Sequence, residues 1–274
     1  NNVGKAYYEI GNLEQASYHF ERSVANIPRF IANQYNIQDQ NKFLERKHKI
    51  TGKDYKNNLK LPGSFKIMAE FVEPHYNLAS VYLDQGRLEE AEKEYLKTQA
   101  LRPGHFSSKL GLSSVYNQKG LYSKAIALLE QAVQDKITAN NYEEELKLNI
   151  SSSDFDFALA RLNLGELYGK AGRLKDAIIE WEAALKLNPS LLPAHFNMGT
   201  AYMMTGKLES AEITFKYCLR LKSQYVPALF NLAKVYQMQE KWGKSTQQFK
   251  AFLEVTGPKP SAYTHIGFNF NKQL

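Results

Sequence analysis

Six histidines and a single cysteine, Cys218, are the side chains of this 274-residue chain best suited to hold a metal or attack a substrate. Zinc ligation needs such residues to converge at short fixed spacings, and one cysteine excludes both an internal disulfide framework and a multi-cysteine metal site. The chain contains no H-E-x-x-H, no G-x-G-x-x-G, no G-x-x-x-x-G-K-[ST] and no G-x-S-x-G, so zinc-protease, dinucleotide, phosphate-loop and serine-hydrolase chemistry lack their local requirements. The run Glu143, Glu144, Glu145 reads as a solvated face. Asn149-Ile150-Ser151 fits a glycosylation acceptor, a pattern with meaning only in a secreted chain. The reading is a non-enzyme with no cofactor and no metal.

Composition agrees. Hydrophobic residues make up 43% and aromatics 12% of the chain, enough for a buried core throughout. No run approaches the ~18 apolar residues of a membrane span. No charged-then-apolar leader follows Asn1, and the compartment is left open between cytoplasm and a tethered or periplasmic form. Thirty-five Lys and Arg against 28 Asp and Glu give a net charge of +7. A nucleic-acid binder would concentrate that excess in one stripe. Here the densest basic stretch, Lys42 to Lys66, falls between repeating segments, and nucleic acid is not an expected partner.

The elements that must carry any function announce themselves by repetition. Alanine recurs at Ala91 and Ala125 and at Ala177 and Ala211, glycine at Gly86 and Gly120 and at Gly172 and Gly206, and tyrosine at Tyr168, Tyr202 and Tyr236, all at an interval of 34 residues. One unit reads Leu164-Gly165, Tyr168, Gly172, Ala177, Trp181, Ala184, Pro189; the next reads Met198-Gly199, Tyr202, Gly206, Ala211, Phe215, Cys218. Leu164 and Tyr168 lie on one stripe of a first helix. Glycine ends that helix in a left-handed cap. Small Ala177 lets a second helix approach closely, and Trp181, four residues on, lies on the same face. Proline closes the unit because it cannot continue a helix. In this register Cys218 is an alanine substitute in the core, and His75 and His195 share the fourth place of their units, where packing explains them better than ligation.

This order resembles the tetratricopeptide repeat, W-x2-L-G-x2-Y, then A-x3-F, then P, over 34 residues. The resemblance implies an all-α, right-handed superhelical solenoid of antiparallel helix pairs. Complete units begin at Val72, Phe106, Ala158, Leu192 and Val226. The boundaries are a truncated unit over 1–30, a diverged unit or insertion over 31–71, two units over 72–139, an acidic insertion over 140–157, three units over 158–259, and a half unit or capping helix over 260–274. In the unit at Val226, Glu240 replaces the turn glycine and Ser245 the close-packing alanine, so enlarging Ser245 is expected to cost less than enlarging Ala177 or Ala211.

The resemblance also implies that first helices line a concave groove, with the second, fifth, sixth, ninth, twelfth and thirteenth places of each unit facing a ligand. The sixth place holds Asn77, Asn163, Asn197 and Asn231, similar to the asparagine ladder in the repeats of O-linked N-acetylglucosamine transferases. An amide both donates and accepts, so such a row suits a peptide backbone. Tyr76, Phe196 and Phe230 at the fifth place, with Met203, Met204 and Met238 at the twelfth and thirteenth, make an adaptable apolar surface. The inner lysines and arginines of the family's chaperone-tail clamp are absent, for those places hold Ser107, Leu110, Gly111 and Leu162. The expected function is a scaffold or adaptor that holds an extended or helical segment of a partner protein. Its rivals are a substrate-recruiting arm of a larger enzyme and a scaffold that self-assembles, as a homo-oligomer, through the ends of the array.

Overall fold

The structure, a computed structural model, describes the backbone of residues 1–25, 64–145 and 154–273 and the side chains of 1–25, 72–138 and 155–272. Most of the basic stretch Lys42 to Lys66, the turn sequence before Ser64 and the serines at 151–153 lie outside the described residues. Everything described is helix, turn or cap, in thirteen helices, and no strand occurs among the described residues. The chain divides into two compact units, 1–132 and 133–274.

The first unit holds α1 (Asn2–Glu9), α2 (Leu13–Ala25), α3 (Ser64–Asp84), α4 (Leu88–Leu101) and α5 (Phe106–Gln118), and α6 (Tyr122–Glu145) begins within it. Each of the first four packs on the next in chain order, and α3 also touches α5, so first helices stand side by side. Packing of α2 directly on α3 makes those pairs neighbours although residues 26–63 separate them in sequence. α3 starts at Ser64, ahead of Val72, with Pro74 inside it. Its core joins Ala16 and Phe20 to Leu78, Ala79, Tyr82, Ala91, Tyr95, Leu112 and Val115.

The second unit holds α7 (Asp154–Lys170), α8 (Leu174–Leu187), α9 (Leu192–Met204), α10 (Leu208–Leu221), α11 (Val226–Met238), α12 (Trp242–Thr256) and α13 (Pro260–Gln273). Again each packs on its successor, and the first helices α7, α9 and α11 touch in that order. The acidic residues Glu143 to Glu145, placed by the repeat pattern in an insertion, belong to the last turn of α6.

One turn recurs. In α3, the amide of Gly86 donates to the Leu83 carbonyl (3.0 Å) and that of Arg87 to the Tyr82 carbonyl (2.8 Å). This crossed pair of bonds caps a helix end and requires a left-handed residue between them. Gly11, Gly86, Gly120, Gly172 and Gly206 meet the requirement with φ of 72–76°. Glu240 meets it as well, at φ 58°, its own amide donating to the Gln237 carbonyl (2.9 Å) and that of Lys241 to the Tyr236 carbonyl (2.8 Å). The residue after the turn also covers the preceding tyrosine: the Arg87 guanidinium lies 4.1 Å from the Tyr82 ring centroid, and that of Arg173 4.2 Å from Tyr168.

The close helix approach is equally regular. A side-chain carbon added at Gly165 would lie 2.5 Å from Trp181, and one at Gly199 2.8 Å from Phe215, so the second-helix ring sits on the first-helix backbone. Ala177, Ala211 and Ser245 are all fully buried at the second-helix contact. Ser245 is thus no looser than the alanines, and its Oγ donates to the Ala233 carbonyl at 2.9 Å.

Candidate partner-binding face

The expected groove residues lie on first helices in both units. In the first unit, Asn77 on α3 donates its Nδ2 to Asn1 Oδ1 at 3.1 Å. Tyr76 beside it is half-buried, its ring 6.1 Å from Tyr95 and 5.0 Å from His105.

In the second unit, Asn163 on α7, Asn197 on α9 and Asn231 on α11 are each half-buried. Asn197 Nδ2 donates to Glu166 Oε1 (3.1 Å), and Asn231 Nδ2 donates to Thr200 Oγ1 (3.5 Å). Both bonds run from the sixth place of one unit to the ninth place of the unit before, across the seam between first helices. The row therefore straps neighbouring helices with its donors. The carbonyl oxygens of Asn197 and Asn231 receive no donor among the described residues.

The aromatic residues are more enclosed than the sequence suggests. Phe196 is wedged between Phe215 (centroids 5.8 Å) and Tyr225 (5.5 Å). Phe230 meets Phe249 (5.6 Å), Phe252 (5.3 Å) and His265 (5.8 Å). Each ring already fills the space between its own second helix and the next unit. The methionines divide. Met203 packs against the core, whereas Met204 is 68% and Met238 51% exposed at equivalent places on α9 and α11.

Two carboxylates are held in ion pairs that the repeat pattern does not foreshadow. His75 Nδ1 meets Glu94 Oε2 at 2.5 Å, and Lys97 donates to Glu94 Oε1 at 2.7 Å. Burial raises the Glu94 carboxyl, but the hydrogen bonds from His75 and Lys97 outweigh it and hold the group below the usual carboxylate range. Glu212 likewise is raised by burial and lowered further by Lys216 (2.6 Å) and Lys241 (3.0 Å), to about 2. Burial pushes the Cys218 thiol up to about 11, away from nucleophilic use. Among the described residues no group of three or more His, Cys, Asp or Glu could hold a metal, and no helix is long and apolar enough to cross a membrane.

Helix pairs at a constant period, a left-handed turn in each and a small residue under an aromatic ring define a class, the helical repeat proteins. A tetratricopeptide repeat family model matches residues 76–143 and 162–226. The chain is a tetratricopeptide repeat protein. Its fold is similar to that of YrrB, a TPR protein described as having an unusual peptide-binding site, with 20% identity, a TM-score of 0.55 and coverage of 75% of this chain and 98% of that one. It is also similar to pilF of Pseudomonas aeruginosa (16% identity, TM-score 0.60, 75% and 87% covered) and to MamA of Desulfovibrio magneticus (17%, 0.55, 67% and 94%). No functionally curated protein matches the sequence.

Proposed function

We propose that the first-helix face of the second unit binds an extended or helical segment of another protein, making the chain an adaptor. The observation that carries this is the exposure of Met204 and Met238, at 68% and 51%, on adjacent first helices. A flexible thioether offered to solvent twice at one place of the repeat suits an apolar side chain of a ligand, which it can follow without a fixed shape. The carbonyls of Asn197 and Asn231 lie on the same helices and can accept from a peptide amide. Phe196 and Phe230 contribute as a rigid floor rather than as protruding anchors. The peptide-binding site described for the similarly folded YrrB supports this reading.

The test is selection of binding peptides from a displayed library, then calorimetry on the best one. Met204→Glu and Met238→Glu should each weaken it at least about tenfold, because a charge would be left in an apolar contact. Asn197→Ala should cost roughly 0.5–1.5 kcal/mol, the worth of one neutral hydrogen bond. A selected peptide that binds both glutamate variants as tightly as the parent places the ligand elsewhere.

A further inference from the structure

Beside the repeat turns, first-helix tyrosines are met by charged residues, and the seam at Tyr236 differs in sign from three others. Tyr82 has the Arg87 guanidinium 4.1 Å from its ring centroid, Glu90 paired with that arginine (3.0 Å), and Glu21 accepting from its hydroxyl (2.8 Å). Tyr168 has Arg173 over its ring (4.2 Å), with Asp176 paired to the arginine (2.7 Å). Tyr202 faces the charge of Glu182, which with burial raises its pKa. Two places of the repeat thus supply acid: the residue before the close-packing alanine, and the residue after the second-helix ring.

At Tyr236 both places carry lysine. Lys244 precedes Ser245 as Glu90 precedes Ala91 and Asp176 precedes Ala177, and Lys216 follows Phe215 as Glu21 follows Phe20 and Glu182 follows Trp181. With Lys241 in the arginine's place, three ammonium groups lie 5.8–6.0 Å from one ring centroid. Glu212 accepts from Lys216 (2.6 Å) and Lys241 (3.0 Å), and its side chain is 13% exposed against 51% and 41% for theirs. The carboxylate therefore lies beneath the lysines and holds them in place while they face solvent. Lys244 is exposed and meets no carboxylate among the described residues. Residues 201–274 carry ten Lys and Arg against four Asp and Glu, and of those ten only Lys216 and Lys241 form ion pairs among the described residues. Such an uncompensated patch attracts anions.

We propose that Lys216, Lys241 and Lys244 form a docking site for an acidic segment of a partner protein, a stretch rich in Asp and Glu. The site is built on α10 and the start of α12, which are second helices, and is independent of the first-helix face proposed above. Its chemistry selects among anions. Tyr236 is only 4% exposed, so it offers no ring on which a nucleic-acid base could stack. None of the three cations is an arginine, whose planar fork suits a phosphate group in two bonds at once. Lysines are separate point charges on flexible stems. Carboxylates spaced along a peptide can meet them one by one, each ammonium keeping donors to spare beyond the one given to Glu212.

Fluorescence anisotropy of a labelled peptide of alternating Glu and Asp, titrated with the 274-residue chain, is expected to show binding that weakens as salt is raised. Lys216→Glu and Lys244→Glu, which give this seam the acids of the others, should each weaken it at least about tenfold, as loss of a charge-assisted bond does. Lys244→Gln removes a charge without adding a repulsive one, and should act in the same direction even where a glutamate variant folds poorly. Lys175→Glu, exposed on α8, changes net charge equally and should stay within about twofold of the parent. A peptide that fails to bind at low salt overturns the proposal. So does equal weakening by Lys175→Glu, the mark of a general attraction to a basic chain. A single-stranded oligonucleotide that binds through Lys216 and Lys244 while the acidic peptide does not overturns the partner class.

Discussion

In the unit that opens at Leu192, the turn residue is Gly206 at φ 74° and the helix contact is made by Ala211; in the unit at Val226 the same places hold Glu240 at 58° and Ser245. Backbone hydrogen bonds at the two turns differ by at most 0.3 Å, since 3.2 and 2.9 Å in the first become 2.9 and 2.8 Å in the second. The substituted unit has kept the geometry and changed how it is secured. Where the first relies on glycine's freedom and an apolar contact, the second holds a glutamate in a left-handed conformation and ties its buried serine into a polar network with Ala233, Asn269 and Gln237. Departure from the repeat pattern is therefore not looseness, and the two units should break differently.

The largest effect is expected at Ser245. Ser245→Leu should lose about 3 kcal/mol or more, since it overpacks a filled contact and removes a partner of the buried Asn269 amide. Ala211→Leu should lose about 1–3 kcal/mol from overpacking alone. Chemical denaturation of the two variants checks the order, which reverses the one that the repeat pattern suggests. Equal losses would show that the network adds nothing. At the turns, Glu240→Gly should stabilise the chain by about 1 kcal/mol, relieving a left-handed residue that carries a Cβ. Gly206→Glu should destabilise it by a similar amount, and a thermal melt of each variant reads both signs.

The smallest expected effect is in acid. Glu212 on α10 pairs with Lys216 of its own helix and with Lys241 of the next repeat, and titrates near pH 2 when folded, below its ordinary value of 4.5. A depressed folded pKa contributes stability that is complete above about pH 4.5 and lost as pH falls toward 2. Both lysine partners are well exposed, so screening keeps the contribution modest. Lys241→Gln should flatten this acid limb relative to the parent, measured by denaturation between pH 5 and 2 at low salt.

The repeat was legible because its landmarks are backbone requirements: a left-handed turn at Gly172 and a close approach at Gly165 restrict residue type wherever they occur. The face was legible only in outline. The asparagine row stood out by spacing, but its bonds to Glu166 and Thr200 depend on which residues face each other across a helix seam, which a one-dimensional pattern does not display. Phe196 and Phe230 read as part of an apolar ligand surface because residues pointing toward a groove and residues filling the space beside it share the same helical place. The Ser245 network was hidden for a similar reason, since its members come from three helices and are joined only by tertiary contact.

The seclusion of Cys218 turns the chain into its own stability gauge. The thiol is the molecule's single cysteine, is fully buried in α10, and ionises only near pH 11 in place. A thiol reagent can therefore react only with molecules in which α10 has lifted from α11, and the slow labelling rate at neutral pH counts those openings. No probe need be introduced. The same clock, run with and without a bound peptide, would time how firmly a ligand on the neighbouring first helices holds that part of the array closed.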